Sequence, residues 1–568
     1  MKSLVPQWLL GYHRDWLAGD LTAGLIVTVM LVPQSLAYAM LAGLPLQMGL
    51  YASVLPIIAY AVFGSSMTLA VGPVAVASLM TASVIGPLAP VGSEQYALLA
   101  MQLSLLSGGM LLIFGLLRLG FLAHFLSHPV ISGFISGAAI LIAVGQMRHI
   151  LGVRIDAEGV VATLIGLVQA MPRINPITLA LGLSSIVILV LARQKFAGWL
   201  IRMGVARARA DLLARLTPML VVVLSTLVVR AFDLDQRFGV AVVGEVPAGL
   251  PGAAPLAVFT DWSAIEYLLM PALLISVVGF VESVSVAQSF ALKRRERIQA
   301  DRELLGLGAA NVASAVSGGF PVTGGLARSV VNFSAGANTP LAGVVSALLM
   351  ALILVFFTES FWSLPHAVLA ATILVAITSL IDIAAFRHAW AYDRADAMTL
   401  AATASGVVFA GVEHGIVIGV LLSLGTIVWR GSRPHIAVVG RLPGTEHFRN
   451  VERHAVQTER HILLVRIDES VLFANAMQIR NRIDELIDES VSVRRVVVSC
   501  AGVNQIDLTG LEMLIALEAE LSNRGIALEL AEVKGPVMDR LTGTALGHKL
   551  QGRVHLSLHD ALLADACA

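Results

Sequence analysis

Long apolar runs recur along the chain up to about residue 430. We place fourteen of them near residues 21–41, 49–63, 73–85, 97–117, 129–147, 174–192, 216–232, 267–292, 304–319, 324–334, 339–357, 364–382, 395–412 and 414–430. A bilayer core about 30 Å thick is crossed by about 20 apolar residues in a helix. The chain is 57% hydrophobic and 13% charged, with a mean hydropathy of +0.83, which leaves too little polar surface for a water-soluble protein. The sequence therefore predicts a polytopic α-helical membrane protein.

Two of these segments, 73–85 and 324–334, are too short to cross a bilayer as helices. Short segments at corresponding places in two halves are typical of inverted-repeat transporters, whose sites lie at the membrane midplane. The spacing agrees, because Gln34 to Pro73 and Glu282 to Pro321 are both 39 residues (73 − 34 and 321 − 282). We therefore expect two inverted halves of seven segments.

The distribution of charge between the apolar segments predicts the orientation. Residues 193–215 and 293–302 are rich in arginine, whereas residues 231–266 are mainly acidic. Basic loops stay in the cytoplasm, so we expect both termini to be cytoplasmic in the inner (plasma) membrane. A nucleic-acid partner is not expected, because the formal net charge is +0 and orientation alone explains the basic loops.

After Arg433 the chain has the pattern of a soluble α/β domain. "HILLVRID", "RRVVVSC" and "ALELAEV" are predicted strands, and the two stretches between them are amphipathic helices. We place the domain boundary between residues 433 and 434, which gives a membrane domain (1–433) and a cytoplasmic domain (434–568). Within "QIDLTG", Asp507 is interpreted as a helix N-cap, and phosphorylation of Thr509 as a switch is the less favoured reading.

The stretch "LVPQSLAYAM", residues 31–40, places polar groups inside the first apolar run. Pro33 lacks a backbone donor, so it is expected to break the helix, and Gln34 offers two donors and an acceptor at that break. A proline kink satisfied by neighbouring helices is the alternative. We favour a ligand-binding role because the short segments lie in the same repeats.

Each short segment is predicted to begin as a half-helix inside the membrane. In "VGPVAVASLM" the small side chains leave the first-turn amides uncovered, and in "FPVTGGLARSVVN" Gly324 and Gly325 allow close approach of the backbone. A helix N-terminus attracts anions through its free N–H groups and its dipole. The alternative is an ordinary entry from a loop into a helix.

Arg328 lies one turn into the second half-helix, in an apolar region. A buried arginine costs at least about 2.5–3.5 kcal/mol on insertion scales, so a partner or a ligand is expected. Glu282 is the only acidic residue within 267–292 and is the obvious candidate partner. A purely structural ion pair between the two is the alternative.

The chemistry of several other function classes is missing from the sequence. It has no P-loop lysine motif, no HExxH motif and no nucleophile elbow with triad partners, and its two cysteines do not have zinc-binding spacing. We therefore expect neither an enzyme nor a bound cofactor or metal.

Together these stretches resemble the SulP (sulfate permease) family of anion transporters. The motifs are "LTAGLIVTVMLVPQSLAYAMLAGLPLQMGLYASVLPIIAYAVFGSS", "LAVGPVAVASL", "GFVESVSVAQSFA" and "PVTGGLARSVVNFSAGANTPLAG", and the C-terminal region is similar to a STAS domain. The resemblance implies core and gate domains, an elevator-type mechanism and a homodimer. It also implies an anion site between the third and tenth segments, with proton coupling at Glu282. The implied binding residues are Gln34, Tyr38, Val74, Ala75, Val76, Ala77, Gly325, Leu326, Ala327 and Arg328.

The sequence departs from the family's pattern at Ala327, where many relatives carry serine, so one hydroxyl donor to the anion is missing. The expected function is proton-coupled sulfate uptake, with a dicarboxylate or bicarbonate as the alternative anion. A non-transporting anion sensor that signals through its STAS domain is the competing class. A nucleobase carrier of the same fold is disfavoured, because Arg328 would leave a charge facing a neutral ligand.

Overall fold

The computed structural model describes residues 6–121, 127–155, 159–378, 380–490 and 492–566. It divides into two compact units, Met1–Ser423 and Leu424–Ala568. This division falls inside the last membrane helix, so the domain boundary at residue 433 stays a prediction.

The first half of the membrane unit consists of helices and one very short strand, β1 (Val71–Gly72). The helices are α1 (Gln7–Leu10), α2 (Leu17–Leu41), α3 (Leu46–Tyr51), α4 (Leu55–Phe63), α5 (Ala75–Ile85), α6 (Glu94–Leu116), α7 (His128–Leu151), α8 (Val160–Gln169), α9 (Pro176–Leu191), α10 (Ala197–Arg202) and α11 (Arg207–Phe232).

The second half has the same composition, again with one very short strand, β2 (Thr323–Gly324). Its helices are α12 (Leu234–Phe238), α13 (Ala257–Thr260), α14 (Ile265–Arg294), α15 (Ala300–Val316), α16 (Leu326–Ser334), α17 (Leu341–Phe356), α18 (His366–Ile377), α19 (Ile383–Tyr392), α20 (Arg394–Ala410) and α21 (Val412–Gly431).

Each of the fourteen predicted segments contains a helix, and the predicted polytopic membrane fold is confirmed. Within the described residues, seven helices are long and apolar enough to cross a bilayer, and five apolar helices are shorter. Helices α5 and α16 have 11 and 9 residues. At 1.5 Å per residue they extend about 17 and about 14 Å, roughly half of the hydrocarbon thickness. The two predicted half-helices are therefore present.

The predicted helix break at Pro33 is wrong. Helix α2 runs without interruption from Leu17 to Leu41, and Pro33 is buried within it. A proline removes one backbone donor, and neighbouring helices can satisfy the freed group in a membrane protein, so one proline need not end a membrane helix. The alternative reading of this stretch, a tolerated proline, agrees with the structure.

The membrane helices pack into two groups, which we call the core group and the gate group. In the core group, α15 packs against α4 and α6, α17 against α2, and α14 against α5 and α6. In the gate group, α7 packs against α9, α18 and α20, and α11 packs against α9 and α18. Contacts of α2 with α11 and α18, and of α5 with α7, join the two groups.

The C-terminal unit is a six-stranded mixed sheet with helices. Its elements are β3 (Ile436–Arg441), β4 (Phe448–Asn450), β5 (Ile462–Ile467), α22 (Ala476–Asp488), β6 (Arg495–Ser499), α23 (Leu508–Asn523), β7 (Ala527–Ala531), α24 (Gly535–Thr542), α25 (Ala545–Lys549), β8 (Val554–His555) and α26 (Leu558–Ala566). The strand order is β4-β3-β5-β6-β7-β8, with parallel pairs from β5 to β8. The three predicted strands and both predicted helices are present, whereas β3 and the two edge strands β4 and β8 were not predicted.

The start of α23 shows the role of Asp507. Its Oδ1 accepts a hydrogen bond from the Gly510 amide at 2.8 Å, as expected of an N-cap. Its Oδ2 accepts a second one from the Phe473 amide at 2.7 Å. Thr509 lies on the exposed side of the first turn, and its proposed regulatory role stays a prediction.

A buried ion pair in this sheet makes the stability of the C-terminal unit dependent on pH. Glu529 accepts hydrogen bonds from Arg495 at 2.7 and 2.8 Å and lies 2.9 Å from His555 Nε2. Burial alone would raise the pKa of Glu529, but hydrogen bonds and charge from Arg495 and His555 outweigh it and lower this pKa below its ordinary value of 4.5. The stabilisation is therefore present above pH 4.5 and is lost as the pH falls through the lowered pKa.

We expect the urea midpoint of a fragment spanning residues 434–568 to fall as the pH drops from about 6 to about 3. Circular dichroism at each pH measures the midpoint. Glu529→Gln should show a weaker pH dependence, and an equal dependence in both proteins would contradict this assignment.

Candidate anion-binding site

The two half-helices are joined by a short antiparallel ladder inside the membrane unit. Val71 pairs with Gly324, and Gly72 pairs with Thr323. Non-helical backbone inside a membrane protein needs internal partners because lipid provides none, and each strand here provides them for the other. Helix α5 begins three residues after β1, and α16 begins two residues after β2. The starts of both half-helices are thereby brought together.

Polar side chains of α14 and α15 anchor the strand β2. Ser283 Oγ lies 2.7 Å from Thr323 Oγ1 and accepts a hydrogen bond from the Gly324 amide at 2.9 Å. Asn311 Oδ1 accepts from the Val322 amide, and its Nδ2 donates to the Val322 carbonyl, both at 2.9 Å. Ser283 and Asn311 were not predicted from the sequence, although polar residues within apolar helices are a usable signal.

Two side chains of α16 anchor the other strand. Ser329 Oγ accepts a hydrogen bond from the Ala70 amide at 2.9 Å, and Asn332 Nδ2 donates to the Thr68 carbonyl at 3.0 Å. The Gly325 amide donates to the Ala70 carbonyl at 3.0 Å. Because this amide is already bonded, Gly325 contributes to the site through its missing side chain.

Arg328 is the central charged group of this arrangement. Its side chain is buried, with 2% of the residue exposed, and its Nη1 donates to the Pro73 carbonyl at 2.6 Å. Nε and Nη2 are also buried, and no described residue accepts a hydrogen bond from either. These two nitrogens form a fork of the kind that can bind two oxygens of one anion. The guanidinium is therefore fixed by one bond and retains two donors for a ligand.

The amides at the start of both half-helices are also unused. No described residue accepts a hydrogen bond from the amides of Ala75, Val76, Ala77, Leu326, Ala327 or Arg328. The first helical bonds are those from Ser78 to Val74 and from Ser329 to Gly325, both 3.0 Å long. The first turns of the two helices therefore provide six amide donors without a partner and the positive ends of two helix dipoles.

Glu282 and the hydroxyl of Tyr38 also lie near Arg328. Both interact electrostatically with the guanidinium. Within the described part of the chain, Glu282 and Arg328 form no ion pair at 4.0 Å or closer, so the structural ion pair considered from sequence is not formed. The Gln34 amide is half-buried on α2 and hydrogen-bonds to no described residue.

Two small cavities adjoin these groups. The cavity lined by Arg328, Asn332 and Tyr60 has about 20 Å³. The cavity lined by Glu282 has about 10 Å³ and is also bounded by Phe134 of α7 and Ile416 of α21. Each volume corresponds to about one water molecule or less. Glu282 therefore faces helix α7 of the gate group.

Gly325 and Gly72 allow the guanidinium to lie against the backbone. A Cβ atom on Gly325 would lie 3.0 Å from Arg328 Nη2 and 3.2 Å from Nε, and one on Gly72 would lie 3.3 Å from Nη2. We expect Gly325→Ala to displace the fork and to weaken anion affinity about tenfold, because overpacking of this kind costs about 1–3 kcal/mol.

The concentration dependence of anion uptake measures this effect. Gly109→Ala is the matched control, because a Cβ atom there meets nothing within 4 Å. Equal affinity in the two variants would contradict the placement of the fork.

Comparison with known proteins agrees with this architecture. The model of the sulfate permease family matches residues 17–403, and that of the STAS domain matches residues 453–561. Sulfate transporter 4.1, chloroplastic, of Arabidopsis thaliana is 34% identical over 546 residues, which cover 94% of this chain and 78% of that protein. A probable sulfate transporter of Mycobacterium tuberculosis is 32% identical over 559 residues, covering 97% and 96%.

Two solved structures share the fold. The murine anion transporter Slc26a9 in its inward-facing state has a TM-score of 0.89 at 22% identity, covering 99% of this chain and 93% of that one. The transmembrane domain of the cyanobacterial bicarbonate transporter BicA has a TM-score of 0.60 at 25% identity, covering 73% and 99%. The chain belongs to the sulfate permease family of membrane transporters and has a C-terminal STAS domain.

Proposed function

We propose that the protein is a proton-coupled sulfate transporter of the inner (plasma) membrane with both termini in the cytoplasm. The observation that carries the proposal is the buried fork of Arg328, which lies at the meeting point of two half-helices and hydrogen-bonds to none of the described residues. The names of the most similar relatives reported above support sulfate as the substrate.

The groups that contact the anion would all be hydrogen-bond donors. Two sulfate oxygens would accept hydrogen bonds from Nε and Nη2 of Arg328, and the remaining oxygens would accept from the free amides of α5 and α16. Tyr38 lies at the same charge cluster, and its hydroxyl is a further donor. Ala327 provides an amide but no hydroxyl, so this chain relies on backbone donors at that position.

Proton coupling would follow from the charge of Glu282. When this carboxylate is ionised, it offsets the positive potential of Arg328 and weakens anion binding. Protonation removes that opposition, so a proton and an anion bind with positive cooperativity. The same residue faces the gate group, where a change of charge also alters the contact between the two groups.

Transport would proceed by an elevator-type motion of the core group against the gate group. All of the groups proposed to bind the anion lie on the core helices α2, α5, α14 and α16. Contacts between the two groups pass mainly through α2 and α5, so the core can move as one body with the anion. We expect the protein to be a homodimer, in which the gate groups provide the stationary part.

Uptake of radiolabelled sulfate into proteoliposomes tests this function. An acidic exterior should accelerate uptake, and unlabelled dicarboxylate and bicarbonate should compete more weakly than unlabelled sulfate. Liposomes without protein are the control. Binding of sulfate without uptake would favour the anion sensor. Stronger competition by another anion would identify that anion, and not sulfate, as the substrate.

A further inference from the structure

A second acidic residue, Glu303, is completely buried near the start of α15. Its Oε2 accepts a hydrogen bond from the Tyr60 hydroxyl at 2.7 Å. Its Oε1 accepts from the Ser65 hydroxyl at 2.6 Å, and from the amides of Ser65 and Ser66 at 2.8 and 2.9 Å. Four donors on a single buried carboxylate fix the turn at residues 64–66.

That turn leads directly into the strand that carries the candidate site. Ser66 Oγ accepts a hydrogen bond from the Leu69 amide at 3.2 Å, and the chain then continues through β1 to Pro73. The Pro73 carbonyl is the acceptor for Arg328 Nη1. Residues 65–73 therefore form a continuous strut, held by Glu303 at one end and by Arg328 at the other.

A second connection runs through a side chain. Tyr60, which donates to Glu303, lines the same cavity of about 20 Å³ as Arg328. The position of the Tyr60 ring therefore affects the space beside the guanidinium. Both connections begin at the Glu303 carboxylate.

We propose that Glu303 is a positioning residue for the anion site, acting through the strut of residues 65–73. It sets the position of the Pro73 carbonyl, and thereby the orientation of the Arg328 fork and the start of α5. The inference rests on the proposed function only in assuming that the fork binds the transported anion. The hydrogen bonds described for Glu303 go to Tyr60, Ser65 and Ser66, and none of them involves Arg328.

The chain contains a matched control for the loss of a buried carboxylate. Asp20 is also completely buried, and it accepts from the amides of Asn338 and Thr339 at 2.6 and 3.0 Å and from the Thr339 hydroxyl at 2.7 Å. These partners lie in the connection after α16. A fourth donor, the Tyr12 hydroxyl at 3.3 Å from Asp20 Oδ2, precedes α2, so all four donors lie outside the strut. Asp20→Ala removes a comparable set of hydrogen bonds without releasing residues 65–73.

Two measurements on full-length protein in proteoliposomes test the proposal. Glu303→Ala should raise the KM for sulfate uptake about tenfold with a smaller change in the maximal rate. Glu303→Gln should restore most of the affinity, because its side-chain oxygen can still accept from Ser65 and Ser66. Hydrogen exchange should show faster exchange of the amides of residues 66–72 in Glu303→Ala but not in Asp20→Ala.

Unchanged exchange at residues 66–72, or an equal rise in KM for Asp20→Ala, would overturn the proposal. If Glu303→Ala does not fold, Tyr60→Phe with Ser65→Ala removes two of the four donors and should show the same changes to a smaller extent. Failure of the unmodified protein to take up sulfate would contradict the proposed function alone, since the exchange measurement needs no anion.

Discussion

Replacing Arg328 with alanine is expected to abolish high-affinity anion binding while the membrane unit stays folded. The substitution removes the positive charge of Arg328 and both donors of its free fork. The backbone ladder between β1 and β2 does not depend on this side chain, because its bonds join main-chain atoms and are anchored by Ser283, Asn311 and Ser329. Loss of a buried bidentate charge pair costs about 2–5 kcal/mol, or roughly 30-fold to several thousand-fold in affinity.

Isothermal titration with sulfate, together with uptake by the same preparation, measures the loss. Arg328→Lys is the informative companion variant, because lysine keeps the charge but lacks the planar fork. It should bind more weakly than the unmodified protein and more tightly than Arg328→Ala. Unchanged sulfate affinity in Arg328→Ala would exclude this residue from the site.

Replacing Glu282 with glutamine should uncouple transport from the proton gradient. Glutamine resembles the protonated acid in shape and carries no charge, so the Arg328 fork stays available to an anion at every pH. The variant should therefore still take up sulfate, but an acidic exterior should no longer accelerate it. We expect the acceleration of sulfate uptake by acid to be lost completely, because Glu282 is the one acidic side chain that interacts with Arg328 within the described residues.

Initial rates of sulfate uptake at several external pH values, with the internal pH held constant, measure this coupling. Gln34→Ala provides a comparison, because Gln34 cannot carry the proton. It should change the affinity without removing the stimulation. Acid stimulation of Glu282→Gln equal to that of the unmodified protein would rule out Glu282 as the proton carrier.

The parts of the fold that sequence analysis predicted are those determined by local pattern. The lengths of the apolar runs located the membrane helices, and the shortness of 73–85 and 324–334 predicted α5 and α16. The isolation of Arg328 and Glu282 among apolar residues predicted that they belong to one charged cluster. Each of these signals is contained within about twenty neighbouring residues.

The parts that were missed depend on contacts between distant residues. Neither β1 nor β2 has a sequence pattern of its own, because two residues are too few for a strand period and each strand is defined by its partner in the other half. The edge strand β4 is likewise short and partly exposed. The error at Pro33 had the opposite cause, since a local rule about proline was applied where surrounding helices stabilise the chain.

The ladder between β1 and β2 also determines when the protein can finish folding during its synthesis. Val71 pairs with Gly324, so 253 residues (324 − 71) separate two chain segments that satisfy each other's backbone groups. At about 5–20 residues per second, the ribosome needs roughly 13–50 s to supply the second strand. During that time the unpaired polar groups of β1 need water, lipid headgroups or a helper protein in place of their partner. The first seven segments therefore enter the membrane before β1 has a partner strand. That partner, β2, is made together with the tenth segment.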